Sequence, residues 1–300
     1  MQMKDTMQLV TAVITTHKRE AAMLERALKS VLDQTYKNIE VIVVDDSPAD
    51  FPGRPAVKEM MEQKYPQVIY IQHETCQGAC AARNTALARA KGAFFALLDD
   101  DDEWLPRKTQ RQLEAFTSDS IALVYSNVEQ FNEMTGAVTP VIREGLVGQI
   151  YEKLLRNNFV GSCSYPMLRT AALREIGGFD VEMQSAQDHD VWLRLMQIYE
   201  AGFVDEVLVR YYIHAGDQIT KSYQRQLAGK ERINLKNLEY LQAHPEIYWY
   251  RKIRLVRIYV KAGQNRKALQ TWWQAVTLKP GYVGKNLFYF FVMLKNMIVK

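Results

Sequence analysis

Three runs of polar residues carry the chemistry open to this sequence: Thr15-Thr16-His17, Asp45-Asp46-Ser47 and Asp99-Asp100-Asp101-Asp102. Four adjacent carboxylates repel one another and are costly unless a cation neutralises them. The Trp104-Leu105-Pro106 segment that follows should hold the run as a fixed loop. A hard divalent cation, Mg2+ or Mn2+, with few protein ligands and phosphate oxygens completing its shell, suits such a group. The plainer alternative is a solvated acidic loop, and the apolar run before the four Asp and the Trp-Leu-Pro after them argue against it.

The elements that must position these residues are readable from periodicity. Leu9–Thr16, Asn38–Asp46, Gln67–Gln72 and Ala93–Leu98 are apolar, β-branched or aromatic runs of strand length. Between them, Ala21–Asp33, Pro55–Lys64 and Gly78–Ala90 read as helices. Strands alternating with helices imply βαβ units and a mostly parallel sheet flanked by helices, an α/β fold. In such sheets ligands bind beyond the carboxyl ends of the strands, where each polar run lies. Farther on, Pro106–Phe116 and Gln187–Tyr199 read as helices. Ile121–Ser126, Gly136–Val141 and Phe203–His214 read as strands, and everything from Ser222 onward is helical.

These segments, in this order and spacing, resemble the family 2 inverting glycosyltransferases of the GT-A fold. The resemblance rests on VITTHKR, VIVVDDS, AARN (81–84), LLDDDDEWLP, GGFD (177–180) and QDHDVWLRL (187–195). It covers roughly residues 8–215 and implies a Rossmann-like nucleotide-diphospho-sugar transferase. By the same resemblance, Asp46 would accept the N3–H of a uracil, Thr15 would bound that base and His17, in place of the usual Tyr, would stack on it. Arg83 would contact phosphate or base, Asp99 and Asp100 the ribose, and Asp101 would hold the metal. Asp188 would be the catalytic base, with Gln187 replacing the more usual Glu.

Each role makes chemical sense. A diphosphate is a poor leaving group until its developing charge is neutralised, and a divalent ion supplies that stabilisation without a proton donor. The attacking hydroxyl needs a carboxylate to take its proton. A single displacement with one such base inverts the anomeric centre, and no second carboxylate suggests a covalent nucleophile. Asp188 could instead be a helix N-cap, and Trp192 a core aromatic rather than a sugar platform. Acceptor contacts are expected from residues 127–165 and the loop near Gly177.

The formal charge of +4 over 300 residues hides an asymmetry. Residues 221–300 hold 16 Lys and Arg against 3 Asp and Glu, a formal +13; residues 1–220 hold 22 against 31, a formal −9. The sequence thus divides into a catalytic domain, 1–220, and a basic helical C-terminal region, 221–300. Clustered cations beside the aromatic-rich Leu287–Val299 segment read as attachment to an anionic membrane surface. A helical cap on the catalytic domain or a contact in a homo-oligomer competes with that reading. Nucleic acid is not expected, because the acidic body argues against a binding face there.

Three cysteines, Cys76, Cys80 and Cys163, are too few for a disulfide framework and should be reduced thiols. Cys76 and Cys80 lack partners at zinc spacing. No apolar stretch reaches spanning length, and MQMKDTMQLV has no signal-like core, so a cytoplasmic, peripheral membrane location is expected. The partners implied are a UDP-sugar donor and a glycan or lipid-linked acceptor, as in cell-surface polysaccharide synthesis. Nucleotidyl transfer is a second possible reaction, but THKREAAM lacks the glycines of a phosphate loop. An inactive relative that binds a partner is a third reading, opposed by the retained carboxylates.

Overall fold

A strand with neighbours on both sides and helices on both faces must be apolar throughout, and β1 (Val10–Thr16) is buried over nearly its whole length. The computed structural model describes residues 8–213 and 222–298. The expectations for residues 1–7, for a strand ending at His214 and for a helix ending at Val299 concern residues outside those described. The chain forms two units. The first is drawn from Met1–Leu154, Asn158–Val181 and Val191–Ala215, the second from Leu155–Asn157, Glu182–Asp190 and Gly216–Lys300.

In the first unit β1 pairs in parallel with β2 (Ile39–Asp45) and β4 (Phe94–Asp99), and β2 pairs in parallel with β3 (Ile69–Gln72). Helices α1 (Ala21–Leu32), α2 (Arg54–Lys64) and α3 (Ala79–Arg89) connect them. The register sets Thr16 opposite Asp45 and Thr15 opposite Asp99. All three polar runs therefore emerge at one edge of the sheet. Beyond β4 the sheet continues through β8 (Met167–Arg169), β6 (Ile121–Asn132) and β9 (Glu200–Ile213) to β5 (Glu103–Trp104). There it turns mixed: β4–β8, β8–β6 and β9–β5 are antiparallel, and β6–β9 is parallel. β7 (Val138–Val141) lies off this path and pairs antiparallel with β6.

The loop after the four Asp is held by strand pairing. Glu103 and Trp104 pair with Arg210 and Val209, and the Leu105 N–H donates to the Leu208 carbonyl at 2.9 Å. The Trp104 indole donates to the Ser164 carbonyl at 3.1 Å. Beneath it, Lys108 of α4 (Lys108–Glu114) is fully buried with Nζ 4.2 Å from the indole centroid, and burial pushes its amine well below the usual value.

β5, β8, α5 (Tyr151–Arg156) and α6 (Thr170–Glu175) are not evident in the sequence pattern. At two to six residues they are too short for a periodicity, and pairing or packing defines them instead. β6 runs to Asn132 rather than Ser126 because β9 and β7 both extend its ladder.

Two of the motif segments form one clamp. Asn84 Nδ2 donates to the Phe179 carbonyl and Asn84 Oδ1 accepts the Phe179 N–H, both at 2.8 Å. Gly178 sits at φ 69°, and a Cβ there would fall 2.6 Å from Asn84 Oδ1. Only glycine fits so close an approach in that backbone conformation. Arg194 completes the corner, donating to the Ile176 and Gly178 carbonyls at 2.7 Å each. Trp192 is fully buried and donates to the Gly161 carbonyl at 3.1 Å, so it is a core residue and not a sugar platform.

In the second unit the helices expected after Ser222 are α8 (Tyr223–Lys236), α9 (Leu238–Ala243), α10 (Pro245–Lys261), α11 (Asn265–Leu278) and α12 (Val283–Ile298). Leu227, Leu255, Val256, Tyr259, Ala268 and Met293 share one apolar cluster among them.

Replacing Asn84 with Ala strands two backbone groups, at a cost of about 2 kcal/mol. The Asn84→Ala variant should show a lowered Tm by calorimetry, and an unchanged Tm would contradict the clamp.

Candidate active site

The site grows from the turn after β1. Lys18 takes a left-handed conformation, φ 53°, and its N–H donates to Ser47 Oγ at 2.8 Å. That turn aims Arg19 at the end of β4. Arg19 Nε lies 3.0 Å from Asp100 Oδ1, and Nη2 lies 2.7 Å from Asp101 Oδ2. One guanidinium thus serves two carboxylates in a fork geometry that lysine could not match. Burial works against the charge on Arg19, but Asp100 and Asp101 outweigh it and raise its pKa.

The four Asp are not four equivalent charges. Asp99 accepts from Ser162 Oγ at 2.7 Å and from Arg83 at 3.2 Å, while its own N–H donates to Ser164 Oγ at 3.0 Å. Asp100 is nearly fully buried; desolvation, opposed by Arg19 and reinforced by Asp101, pushes its carboxyl up to about 6. Asp101 remains partly open to solvent. Asp102 is fully buried, bonded to Ser164 Oγ at 2.6 Å and to the Tyr212 N–H at 3.3 Å. Burial first, then Asp99 and Asp101, raise it well above the carboxylate range. Asp102 is therefore a structural acid, and the expectation that one cation must neutralise the whole run is too simple. Arg19, Arg83 and burial already share the work.

Asp100 and Asp101 still converge on a single cation, here the Arg19 guanidinium. Two carboxylates aimed at one positive group, one of them open to solvent, are a donor set that fits a hard divalent ion completed by phosphate oxygens.

At the end of β2, Asp45 and Asp46 divide structure from site. Asp45 accepts from the Tyr70 hydroxyl and the Ser47 N–H, both at 2.9 Å. Asp46 Oδ1 accepts from His73 Nδ1 and the Gln77 N–H, each at 2.7 Å; Oδ2 accepts from the Gly78 N–H at 2.7 Å and from Cys76 Sγ at 3.4 Å. Burial disfavours its ionised form, but the Gln77 N–H, His73 and the Gly78 N–H outweigh that and hold the carboxyl below its ordinary 3.8. The thiol is the weak member of the four donors.

His17 is exposed, and its Nδ1 lies 2.9 Å from the Asp46 carbonyl, so that nitrogen carries the proton. Donor atoms of His17, Asp46 and Cys76 lie within 4.8 Å of one another. With Asp46 saturated by donors and His17 Nδ1 donating, they form a hydrogen-bonded wall rather than a metal cage. Thr15 is half-buried between Val44 and Asp99. Arg83 is buried on α3, with its guanidinium carbon 5.5 Å from the Phe179 ring centroid. The end of the sheet thus brings together Thr15, His17, Asp46, Arg83, Asp99, Asp100 and Asp101. Arg19, His73, Ser162 and Ser164 join them without having been singled out in the sequence. THKR carried the signal for Arg19, but no pattern marked the serines.

Asp188 lies in the second unit, in the first turn of α7 (Gln187–Met196). The basic region's first helix grips this segment. Ser185 Oγ donates to the Arg225 carbonyl at 2.7 Å, Lys236 Nζ lies 2.5 Å from buried Asp190, and Arg232 lies 2.6 Å from Glu182. Gly229 permits the contact, since a Cβ there would fall 2.4 Å from the Ser185 carbonyl oxygen. Asp188 is half-buried, and its charge acts on Lys230 of α8.

Cys76, Cys80 and Cys163 form no disulfide among the described residues. Among the described residues no helix is long and apolar enough to cross a membrane.

Asp46 should stabilise the fold by about 2 kcal/mol through its charged hydrogen bonds. Because its folded pKa is depressed, that contribution is full above about pH 3.8 and is lost as pH falls through the folded value. Asp46→Asn should therefore lower Tm at neutral pH, with the deficit shrinking in acid. A deficit independent of pH would contradict an ionised Asp46.

Comparison with known proteins places the chain among sugar-transferring enzymes. Residues 11–177 match the model for Glycosyl transferase family 2. A UDP-Glc:alpha-D-GlcNAc-diphosphoundecaprenol beta-1,3-glucosyltransferase of Escherichia coli, WfgD, is 30% identical over 189 residues, covering 63% of this chain and 70% of its own. A putative colanic acid biosynthesis glycosyl transferase of E. coli K12, WcaA, is 27% identical over 93% of this chain and 96% of its own. Among solved structures, residues 1–349 of S. aureus TarS in complex with UDP-GlcNAc align with a TM-score of 0.57 at 15% identity, over 83% of this chain and 81% of that one. The mannosyltransferase PcManGT of Pyrobaculum calidifontis, in complex with GDP-Man and Mn2+, aligns with a TM-score of 0.58 at 18% identity, over 99% and 87%. At those identities the structures show the shared GT-A fold.

Proposed function

This chain belongs to glycosyl transferase family 2, and from that premise we propose that it moves a sugar from a UDP-sugar to a hydroxyl of a lipid-linked acceptor, inverting the anomeric centre, in the assembly of a surface polysaccharide. The observation that carries the reading is the convergence of Asp46, Asp99, Asp100 and Asp101 at one end of the sheet, with two arginines among them. The relative that acts on UDP-Glc and a lipid-linked GlcNAc supports the donor and acceptor classes.

In this reading Thr15 and His17 line the base pocket, and a uracil N3–H displaces the weak Cys76 donor from Asp46 Oδ2. Asp99 takes the ribose hydroxyls. Arg83 and Arg19 face the diphosphate; Arg19 must leave Asp101 for it, since the two carboxylates cannot serve both cations. A divalent ion held by Asp101, with Asp100 beside it, would neutralise charge developing on the departing diphosphate. Asp188 accepts the proton of the attacking hydroxyl as the new bond forms, and a single displacement inverts the centre. The grip of α8 on residues 182–190 holds that carboxylate in place.

The basic region would keep the enzyme at the cytoplasmic face of a membrane. Trp273, Val283, Leu287, Phe288 and Phe291 are exposed on α11 and α12, helices of the same cation-rich region.

Asp188→Asn should lower kcat for UDP release at least ~100-fold while leaving UDP affinity unchanged. Asp101→Asn should abolish both transfer and the Mn2+-dependent part of UDP binding, as should chelation of the wild type. Full activity in either variant would remove that residue from the mechanism.

A further inference from the structure

One residue past the end of β3, His73 is buried and held at every polar atom it has. Its N–H donates to the Asp45 carbonyl at 2.9 Å, and its own carbonyl accepts from the Arg54 guanidinium. In the ring, Nδ1 lies 2.7 Å from Asp46 Oδ1 and Nε2 lies 2.9 Å from Thr85 Oγ1 on α3. An ionised carboxylate only accepts, so Nδ1 is the donor. The ring cannot turn from Asp46 without giving up both bonds.

This arrangement fixes how much of Asp46 is left for a base. A carboxylate oxygen offers two lone pairs. Those of Oδ1 are both taken, by His73 Nδ1 and the Gln77 N–H at 2.7 Å each. Oδ2 holds one firm donor, the Gly78 N–H at 2.7 Å, and one weak donor, the exposed Cys76 thiol at 3.4 Å. The thiol is the donor that yields. Asp46 therefore offers a base a single acceptor position, on a single oxygen.

One position suits one kind of base edge. Uracil presents a lone N3–H between two carbonyl oxygens. Guanine presents N1–H and its amino group side by side, an edge that takes both oxygens of a carboxylate as a bidentate pair. With Oδ1 filled, one of those two donors is left without a partner, and an unpaired donor in a closed site is costly. Cytosine is refused differently, because its N3 is an acceptor and meets the ionised Asp46 with a lone pair. The GT-A fold does not itself choose the base, since TarS is solved with UDP-GlcNAc and PcManGT with GDP-Man.

We propose that His73 is a positioning residue that sets nucleobase specificity: by filling Asp46 Oδ1 it admits uracil and turns guanine away. The inference rests on the UDP-sugar reading and deepens it. His73 acts through Asp46 and does not itself touch the base.

The test titrates UDP, GDP and CDP, each with Mn2+, against the full chain by calorimetry. The wild type should bind UDP at least ~10-fold more tightly than GDP, one unpaired donor being the difference. His73→Gln can keep an amide at Thr85 while freeing Oδ1, so GDP should gain at least ~10-fold relative to UDP, with CDP still weak. His73→Asn keeps an N–H at the Nδ1 position and should retain the preference for UDP. Where His73→Gln does not fold, His73→Met removes the same donor and carries the same expectation. An unchanged ratio of UDP to GDP affinity in the folded variant would overturn the assignment and leave the transferase reading standing. GDP and CDP gaining together would also overturn it, because that is the mark of a loosened pocket. A wild type that prefers GDP, or that binds none of the three, would overturn it together with the UDP-sugar donor.

Discussion

Four carboxylates in succession at the end of a buried strand set the terms for everything around them. Their mutual repulsion must be relieved within a few ångströms, and the fold relieves each differently. Asp102 is buried and raised well above the carboxylate range against Ser164 and the Tyr212 N–H. Asp99 is held by Ser162 and Arg83, and Asp100 and Asp101 share Arg19. The parallel pairing of β1 with β2 and β4 brings Thr15, Asp46 and Asp99 to the same edge, and the β5–β9 pairing stops the loop from dissolving into solvent. In the proposed function, a site that stores charge in this way offers a place for a cation and for a polyanion that brings one.

The parallel half of the sheet was legible because its strands are covered on both faces and so read as unbroken apolar runs, and because each ends abruptly in polar residues. The mixed half was not. β5 and β8 are two and three residues long and exist only through their partners, and α5 and α6 are too short for an amphipathic period. Within the site, residue type pointed to Asp46 and the Asp run. It could not divide labour inside the run, because burial decides that Asp102 is structural while Asp101 faces solvent. Arg19 was missed since its importance depends on the left-handed turn at Lys18. Ser162 and Ser164 arrive from a segment with no periodicity at all.

Several of the recognisable motif residues are scaffold. Asn84, Gly178, Phe179 and Arg194 make one clamp, and Trp192 is core. The second unit likewise has more to do than its charge suggested. Its first helix grips the segment carrying Asp188 through Arg225, Gly229, Arg232 and Lys236. A tail read from composition as a membrane tether therefore also positions a carboxylate central to the proposed chemistry.

The most direct test of the account follows transfer by proton NMR, using UDP-α-glucose, Mn2+ and a GlcNAc-diphosphate lipid as acceptor with the full chain. The account predicts loss of the donor's α anomeric signal, matched by a new β anomeric signal on the acceptor and abolished by chelation. An α-linked product would contradict the single displacement, and transfer undiminished by chelation would contradict the role given to Asp100 and Asp101.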